Sequence, residues 1–242
     1  MGRRGDRCGP FLSPAVDLHA ECLSDPHNCD DSNVCTTDTC NAGTCTHAGD
    51  PCVGQQVCDE STDQCTGTLF CAPAPQSGCR TGLLSSLKIK ETAMPPNNGL
   101  IWKLTKGDSA LQSDFGDPTA STNEAMCIYV GGNLVDQIVA PFGSHWAKVR
   151  TKGYMYKDKS RTSDGVNVLV LTDSDKSRSQ IHLTAKGANI PALPGGTLPV
   201  DSADFPVTAQ LVNDTNSVCW TVDFAEADTK KNDGEQFRAV KK

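Results

Sequence analysis

The stretch CIYVGGNLVDQIV, residues 127–139, predicts a β-hairpin. Two apolar runs flank a GGN turn, and a short turn of this composition lets two antiparallel strands pair directly. Comparable turns separate VNVLVL from IHLTA and VTAQLV from VCWTVDF further along the chain. Residues 85–91 and 100–105 alternate between apolar and polar side chains, which is typical of half-buried strands. Antiparallel pairs are therefore the expected building unit of this part of the chain.

The whole of residues 82–242 follows the same pattern. No segment shows a sustained 3.6-residue period, and short turns recur between about eight to ten predicted strands. This combination predicts an antiparallel β-sandwich or jelly-roll-like domain, with a closed barrel as the alternative. The protein is therefore expected to be mainly β.

Residues 1–81 have a different composition. Eleven of the thirteen cysteines lie between Cys8 and Cys79, and residues 1–80 carry eleven acidic residues against four arginines. Residues 81–242 contain eighteen acidic and eighteen basic residues, so the net charge of −7 belongs to the cysteine-rich part. With few large apolar residues, this part is expected to be a disulfide-rich irregular module, stabilised by crosslinks rather than by a core.

Zinc is the alternative explanation for clustered cysteines. No C-x-x-C pair occurs anywhere in the chain, and the histidines have no regular spacing to the thiols. This favours disulfides and therefore an extracellular or cell-surface location. The first residues lack the apolar region of a secretory signal, and the cysteine count is odd. We therefore expect the chain to be part of a longer exported protein. The chain contains no stretch of eighteen apolar residues, so no membrane span is predicted.

The segment CDDSNVCTTDTCNAGTCTH, residues 29–47, resembles the short extracellular cysteine repeat of slime-mould matrix proteins. The resemblance implies an extracellular spacer or matrix module without enzymatic activity. Its polar residues Asp30, Asp31, Asn33 and Asp38 are candidate calcium ligands, since calcium prefers such oxygen donors. Turn formation is the favoured alternative, because Asp and Asn in short loops ordinarily bond to their own backbone.

The second part of the chain has a resemblance of its own. The runs FGDPTAST, MCIYV, GYMYKDK, DGVNVLVL and VTAQLVND are similar to the C-terminal β-domain of large cysteine-repeat proteins secreted by myxobacteria and related bacteria. The similarity spans residues 85–240 and brings no catalytic residues with it.

Cys127 and Cys219 lie on two of the predicted strands. An oxidising compartment favours a disulfide between them, which would close a loop of about ninety residues. Two separate buried thiols are the alternative. The resemblance supports the bridge. Some members of the family carry an extra cysteine pair just before the Trp146 position, but this chain has GSHWAKV there. Cys219 is therefore the only partner that the resemblance leaves for Cys127 within the domain.

Trp146, Tyr154 and Tyr156 are candidates for a platform on which sugar rings stack. The alternative, favoured because the chain has few aromatic residues, is that the three rings fill the core.

We find no G-x-S-x-G elbow, H-E-x-x-H motif or phosphate-binding loop. The chain is therefore predicted not to be an enzyme but a structural or adhesive extracellular module. A carbohydrate-binding module is the first alternative, and an accessory part of a secreted hydrolase is the second. The expected partner is an extracellular polysaccharide or a cell-surface component. Nucleic acid is not expected, because no net positive charge is available to neutralise phosphates. No cofactor is expected apart from calcium.

Overall fold

The computed structural model describes residues 37–41, 44–48, 57–59, 64–66, 69–193 and 197–242. The first four ranges are the strands β1 (Thr37–Asn41), β2 (Thr44–Ala48), β3 (Val57–Asp59) and β4 (Gln64–Thr66). They form two antiparallel pairs, β1 with β2 and β3 with β4. The backbone register places Cys40 opposite Cys45 and Cys58 opposite Cys65.

Twelve strands and four short 3-10 helices follow. The strands are β5 (Gly82–Lys90), β6 (Gly99–Gly107), β7 (Glu124–Val130), β8 (Asn133–Ala140), β9 (Trp146–Lys148), β10 (Gly153–Lys157), β11 (Val166–Thr172), β12 (Ser179–Lys186), β13 (Val207–Asn213), β14 (Trp220–Phe224), β15 (Thr229–Asp233) and β16 (Gln236–Lys241). The 3-10 helices span Pro95–Asn97, Gln112–Phe115, Ser202–Asp204 and Glu226–Asp228. No α-helix occurs in the described ranges, and none of their helices is long and apolar enough to cross a membrane.

These twelve strands form two antiparallel sheets. The large sheet has eight strands in the order β15-β16-β5-β6-β12-β11-β10-β9, and the small sheet has four in the order β14-β13-β7-β8. The two end strands of the large sheet, β15 and β9, do not pair with each other, so the architecture is a sandwich and not a closed barrel. The prediction of a mainly β, antiparallel sandwich is therefore confirmed. All three predicted hairpins are present, as β7–β8, β11–β12 and β13–β14.

The main core lies between the two sheets. Alternation along each strand decides which side chains enter it: Leu87 and Ile89 of β5 are buried, while Lys88 and Lys90 point outward. The small sheet contributes Ile128 and the other inward residues of β7. Burial of such apolar surface is the main stabilising term of the fold.

A second, smaller cluster lies on the outer side of the small sheet. It contains Cys127, Tyr129, Val139 and Val212, all of them buried. An outer sheet face is normally exposed to solvent. Here it is covered by the preceding segment of chain, residues 69–81, which we call the strap.

Candidate functional site

The three aromatic residues proposed as a sugar platform are buried. Trp146 is 5% exposed, Tyr154 is 4% exposed and Tyr156 is fully enclosed. The Trp146 ring meets the Tyr156 ring edge-on, with 5.4 Å between centroids. A stacking platform needs exposed ring faces, so the platform hypothesis is wrong and the three rings belong to the core.

Each of these rings is also held by its polar group or its surroundings. The Trp146 Nε1–H donates to the Pro141 carbonyl at 2.9 Å, and the Tyr154 hydroxyl donates to the Gly116 carbonyl at 3.0 Å. Burial, with the nearby charges of Asp158 and Asp164, raises the pKa of Tyr156 to about 12. Tyr154 and Tyr156 do share one face of β10, as the alternation predicts, but that face is the inner one.

The candidate calcium residues fall almost entirely outside the described part of the chain. Asp30, Asp31 and Asn33 lie there, and only the backbone of Asp38 is described, in β1 opposite His47. Calcium binding by these residues therefore stays a prediction. Within the described ranges, no group of three or more His, Cys, Asp or Glu residues is arranged to hold a metal ion.

Two disulfides attach the strap to the small sheet. Cys71 bonds to Cys127, and Cys79 bonds to Cys219. The predicted Cys127–Cys219 pairing is therefore wrong, although both cysteines are in disulfides. Each domain cysteine pairs with a cysteine from the preceding cysteine-rich part of the chain.

The topology of the small sheet explains this pairing. Cys127 lies on β7, Cys219 immediately precedes β14, and β13 lies between those two strands. Two strand spacings amount to about 9.5 Å, whereas the Cα atoms of a disulfide lie within about 7 Å. The observed bridges have Cα separations of 5.7 and 4.7 Å. Each outward-facing thiol therefore bonds to the strap above it and not to its neighbour in the sheet.

Two buried glutamines hold the backbone of the strap, one beside the first bridge and one between the two bridges. The Gln137 Oε1 accepts hydrogen bonds from the backbone N–H groups of Phe70 and Cys71. The Gln210 side chain accepts from the Gln76 N–H at 3.1 Å and donates to the Gln76 carbonyl at 2.8 Å. A buried amide that satisfies backbone groups in this way fixes the position of the segment that it contacts.

The end of the strap is anchored at Arg80. Its backbone bonds to the chain on both sides of Trp220, and its guanidinium lies 5.5 Å from the centre of the Trp220 ring. The guanidinium also forms an ion pair with Asp114. Trp220 in turn stacks on Phe115, with 4.6 Å between ring centroids. The strap therefore ends on the main core, just before β5 begins at Gly82.

The disulfide pairing can be tested by single substitutions. We expect Cys71→Ser to leave Cys127 as a new free thiol and Cys79→Ser to leave Cys219 free, since each loses its observed partner. Unreduced protein is denatured in acid, alkylated with a maleimide and digested with trypsin, and the labelled peptides are identified by mass spectrometry. Wild-type protein provides the background, because its odd cysteine also reacts. Labelling of neither domain cysteine in the two variants would restore the Cys127–Cys219 pairing.

The outer face of the large sheet carries a concentration of positive charge. None of the five neighbouring strands β16, β5, β6, β12 and β11 contains Asp or Glu. Five cations project from their outer surface and form what we call the cationic face: Lys88, Lys90, Lys103, Lys186 and Arg238. None of the five makes an ion pair with a residue that the structure describes.

The register brings these cations close together. Arg238 lies directly opposite Lys88 across the β16–β5 pair. Lys90 and Lys186 flank Gly99, which offers no side chain between them and lines a shallow cleft of about 300 Å³. Burial and the charge of Lys103 lower the pKa of His182 on the same face. The face therefore presents an uncompensated positive field.

Sequence reasoning missed this face for an identifiable reason. The alternation in residues 85–91 and 100–105 already indicates that the lysines of β5 and β6 point away from the core. The zero net charge of residues 81–242 hides them, because the balancing carboxylates lie outside the five strands. Counting charge strand by strand, instead of over the domain, finds the face.

Three of the buried carboxyl groups of the sandwich have a raised pKa. Glu124 on β7 is fully buried, and neither of its carboxyl oxygens has a hydrogen-bond partner. Asp136 on β8 is 1% exposed, and Asp164 is 4% exposed. Burial raises the pKa of Asp164 to about 7 and the pKa of Glu124 and Asp136 well above the usual range. These groups are therefore enclosed acids and not cleft residues.

Comparison with known proteins gives one partial similarity. The chain is 38% identical over 61 residues to Protein psiO of the slime mould Dictyostelium discoideum, which covers 25% of this chain and 8% of that protein. No family model matches the chain, and no solved structure does. The similarity to a slime-mould protein is compatible with the repeat resemblance in residues 29–47. The resemblance to the bacterial β-domain stays a prediction.

Proposed function

We propose that this chain is a non-enzymatic structural or adhesive module of an extracellular or cell-surface protein. In this proposal the cysteine-rich part is a spacer, and the β-sandwich is the unit to which the spacer is fixed. The observation that carries the proposal is the strap, which two disulfides and two buried glutamines hold on the small sheet.

The chemistry of the strap supports an oxidising location. Disulfides of this kind persist in extracellular compartments and are rare in the reducing cytosol. The partial similarity to psiO is compatible with this location. Both bridges join the two compositionally different parts of the chain, so oxidation links the spacer firmly to the sandwich.

The positions of the acidic groups support a non-enzymatic role. Catalytic carboxyls with raised pKa act on a substrate that reaches them in a cleft. Glu124, Asp136 and Asp164 are instead enclosed between or beneath the sheets. Burial is the largest cause of each raised pKa value.

The location is tested on intact cells of the organism that makes the protein. We expect an antibody against the folded sandwich to label unpermeabilised cells or the surrounding matrix, and external protease to remove that label. A cytosolic protein probed in parallel should be protected. Labelling that requires cell lysis, together with mostly free thiols in the released protein, would overturn the proposal.

A further inference from the structure

We propose that the cationic face binds the acidic cysteine-rich segment of a second copy of this chain, so that copies associate head to tail. This inference deepens the proposed structural role, and it rests on that role for its biological meaning. Its physical basis is the distribution of charge over the chain and the two sides of the sandwich.

Repulsion between the cations of the cationic face destabilises the isolated domain. Like charges directly opposite each other in a sheet are destabilising, and Arg238 and Lys88 occupy such positions. Because the five strands contain no carboxylate, nothing on them offsets this repulsion. An anionic partner placed over the face would do so.

The chain itself contains a segment of matching charge. Residues 1–66 carry eleven Asp and Glu residues against three arginines and no lysine. Residues 81–242 have no net charge, so the acidic segment is the most negatively charged part of the protein. Complementary charge of this kind fixes which surfaces meet when two molecules associate.

The attachment point of the acidic segment lies on the side of the sandwich away from the cationic face. The acidic segment joins the sandwich at Phe70, where the strap lies on the outer side of the small sheet. The cationic face is the outer side of the large sheet. Packed sheets lie about 10 Å apart, face to face, so this attachment point and the cationic face lie on opposite sides of the sandwich. Contact between unlike surfaces of successive copies is heterologous and builds rings or open chains of molecules.

The composition of the face disfavours single-stranded nucleic acid as its occupant. Single-stranded nucleic acids are held by aromatic side chains that stack on the bases, in addition to positive charge. The outward positions of the five strands include no aromatic residue; Trp102 and Phe237 point into the core. The cations instead alternate with small or aliphatic residues such as Ser86 and Ile101.

The test is sedimentation velocity of the oxidised full chain, treated with a maleimide so that thiol exchange cannot link copies. We expect association at about 20 mM salt that is lost at about 300 mM, because the screening length falls well below 10 Å. The variant Lys88→Glu/Lys103→Glu should weaken association by about tenfold or more, since it replaces two attractive contacts by repulsive ones. The matched control Lys159→Glu/Lys176→Glu makes the same change of charge at exposed positions outside the five strands.

A folding check accompanies the association measurement. Tryptophan fluorescence should show a urea midpoint for the face variant at or above that of the control, since Lys88→Glu removes the repulsion with Arg238. Wild-type protein that stays monomeric at low salt, or a face variant that associates as the control does, would overturn the proposal. Loss of binding to alginate in the face variant, with monomers throughout, would replace the second copy by an acidic polysaccharide. Surface labelling of intact cells does not depend on these outcomes, so the proposed location is tested separately.

Discussion

Replacing Cys79 and Cys219 together by alanine is expected to lower the free energy of unfolding of the oxidised protein by about 3–5 kcal/mol. The two cysteines are separated by 140 residues, and their bridge encloses most of the sandwich. In the chain-entropy model, opening a loop of this length lowers the free energy of the unfolded chain by about 5 kcal/mol, because its conformational entropy rises. Measured losses of stability are usually somewhat smaller. Alanine avoids placing an unpartnered hydroxyl at the buried position 219.

Urea unfolding followed by tryptophan fluorescence measures this loss. Trp102, Trp146 and Trp220 all lie in the sandwich core, so the signal reports that domain alone. The matched control is the same comparison in the presence of a reductant, where wild type and variant should differ only by the small cavities at the two alanines. An unchanged midpoint in the oxidised variant would show that the bridge does not constrain the unfolded chain.

The variant Asp164→Asn is expected to stabilise the protein at pH 8 by roughly 2–4 kcal/mol. Asp164 is buried, and its Oδ2 accepts a hydrogen bond from the Val139 N–H at 2.7 Å. An asparagine oxygen can accept the same bond without carrying a charge. Asp164 has a φ of 44°, a left-handed conformation that asparagine tolerates better than most residues do.

The pH dependence follows from the direction of the pKa shift. Burial raises the pKa of Asp164 from 3.8 to about 7 in the folded protein, so the folded state holds this proton more tightly than the unfolded chain. The stability that protonated Asp164 contributes is therefore fully present below about pH 4 and is lost as the pH rises towards and through 7. The loss reaches its limit near pH 8, at roughly 4 kcal/mol for this difference in pKa.

Urea unfolding at several pH values distinguishes ionisation from other effects of the substitution. Wild type and Asp164→Asn should agree within about 1 kcal/mol at pH 4 and diverge between pH 4 and pH 8. Asp175→Asn removes an exposed carboxyl of a hairpin turn and should leave the curve unchanged. An equal gain at pH 4 and pH 8 would mean that contacts of the amide, and not loss of the charge, stabilise the variant.

The strands of the sandwich are largely predictable from the sequence because burial alternates strictly along them. Leu87 and Ile89 of β5 are buried and the two lysines beside them are not, as the period of two indicates. The GGN turn between β7 and β8 lies where the sequence places it, since glycines supply the positive φ values that the turn needs. Both signals are local, and local signals are what a single sequence contains.

The disulfide partners are not predictable from the same signals. Alternation tells that Cys127 points away from Met126 and Ile128, and so away from the main core. It does not tell that the strap crosses that outer face or that β13 lies between β7 and β14. The partner of each cysteine depends on strand order and on the path of the connection, which are properties of the whole fold.

The candidate binding residues show the same limit. That Tyr154 and Tyr156 share a face of β10 is readable from the sequence, but which face meets the other sheet is not. The lysines of the cationic face were likewise readable one strand at a time. Their convergence arises only because β5 and β6 pair with β16 and β12 in the folded sheet.

The strap also decides how the molecule would transmit a mechanical load. The shortest covalent route from residue 71 to the C-terminal Lys242 runs along the strap to Cys79, crosses to Cys219 and continues through β14, β15 and β16. Under tension at the two ends, residues 80–218 lie off this route and cannot be drawn out while the bridge is intact. Between residues 71 and 242, only the strap and the last three strands can lengthen. Residues 71–242 would therefore stretch little under load. Reduction of the Cys79–Cys219 bond would place residues 128–218 on the load path, while the Cys71–Cys127 bridge would still protect residues 72–126.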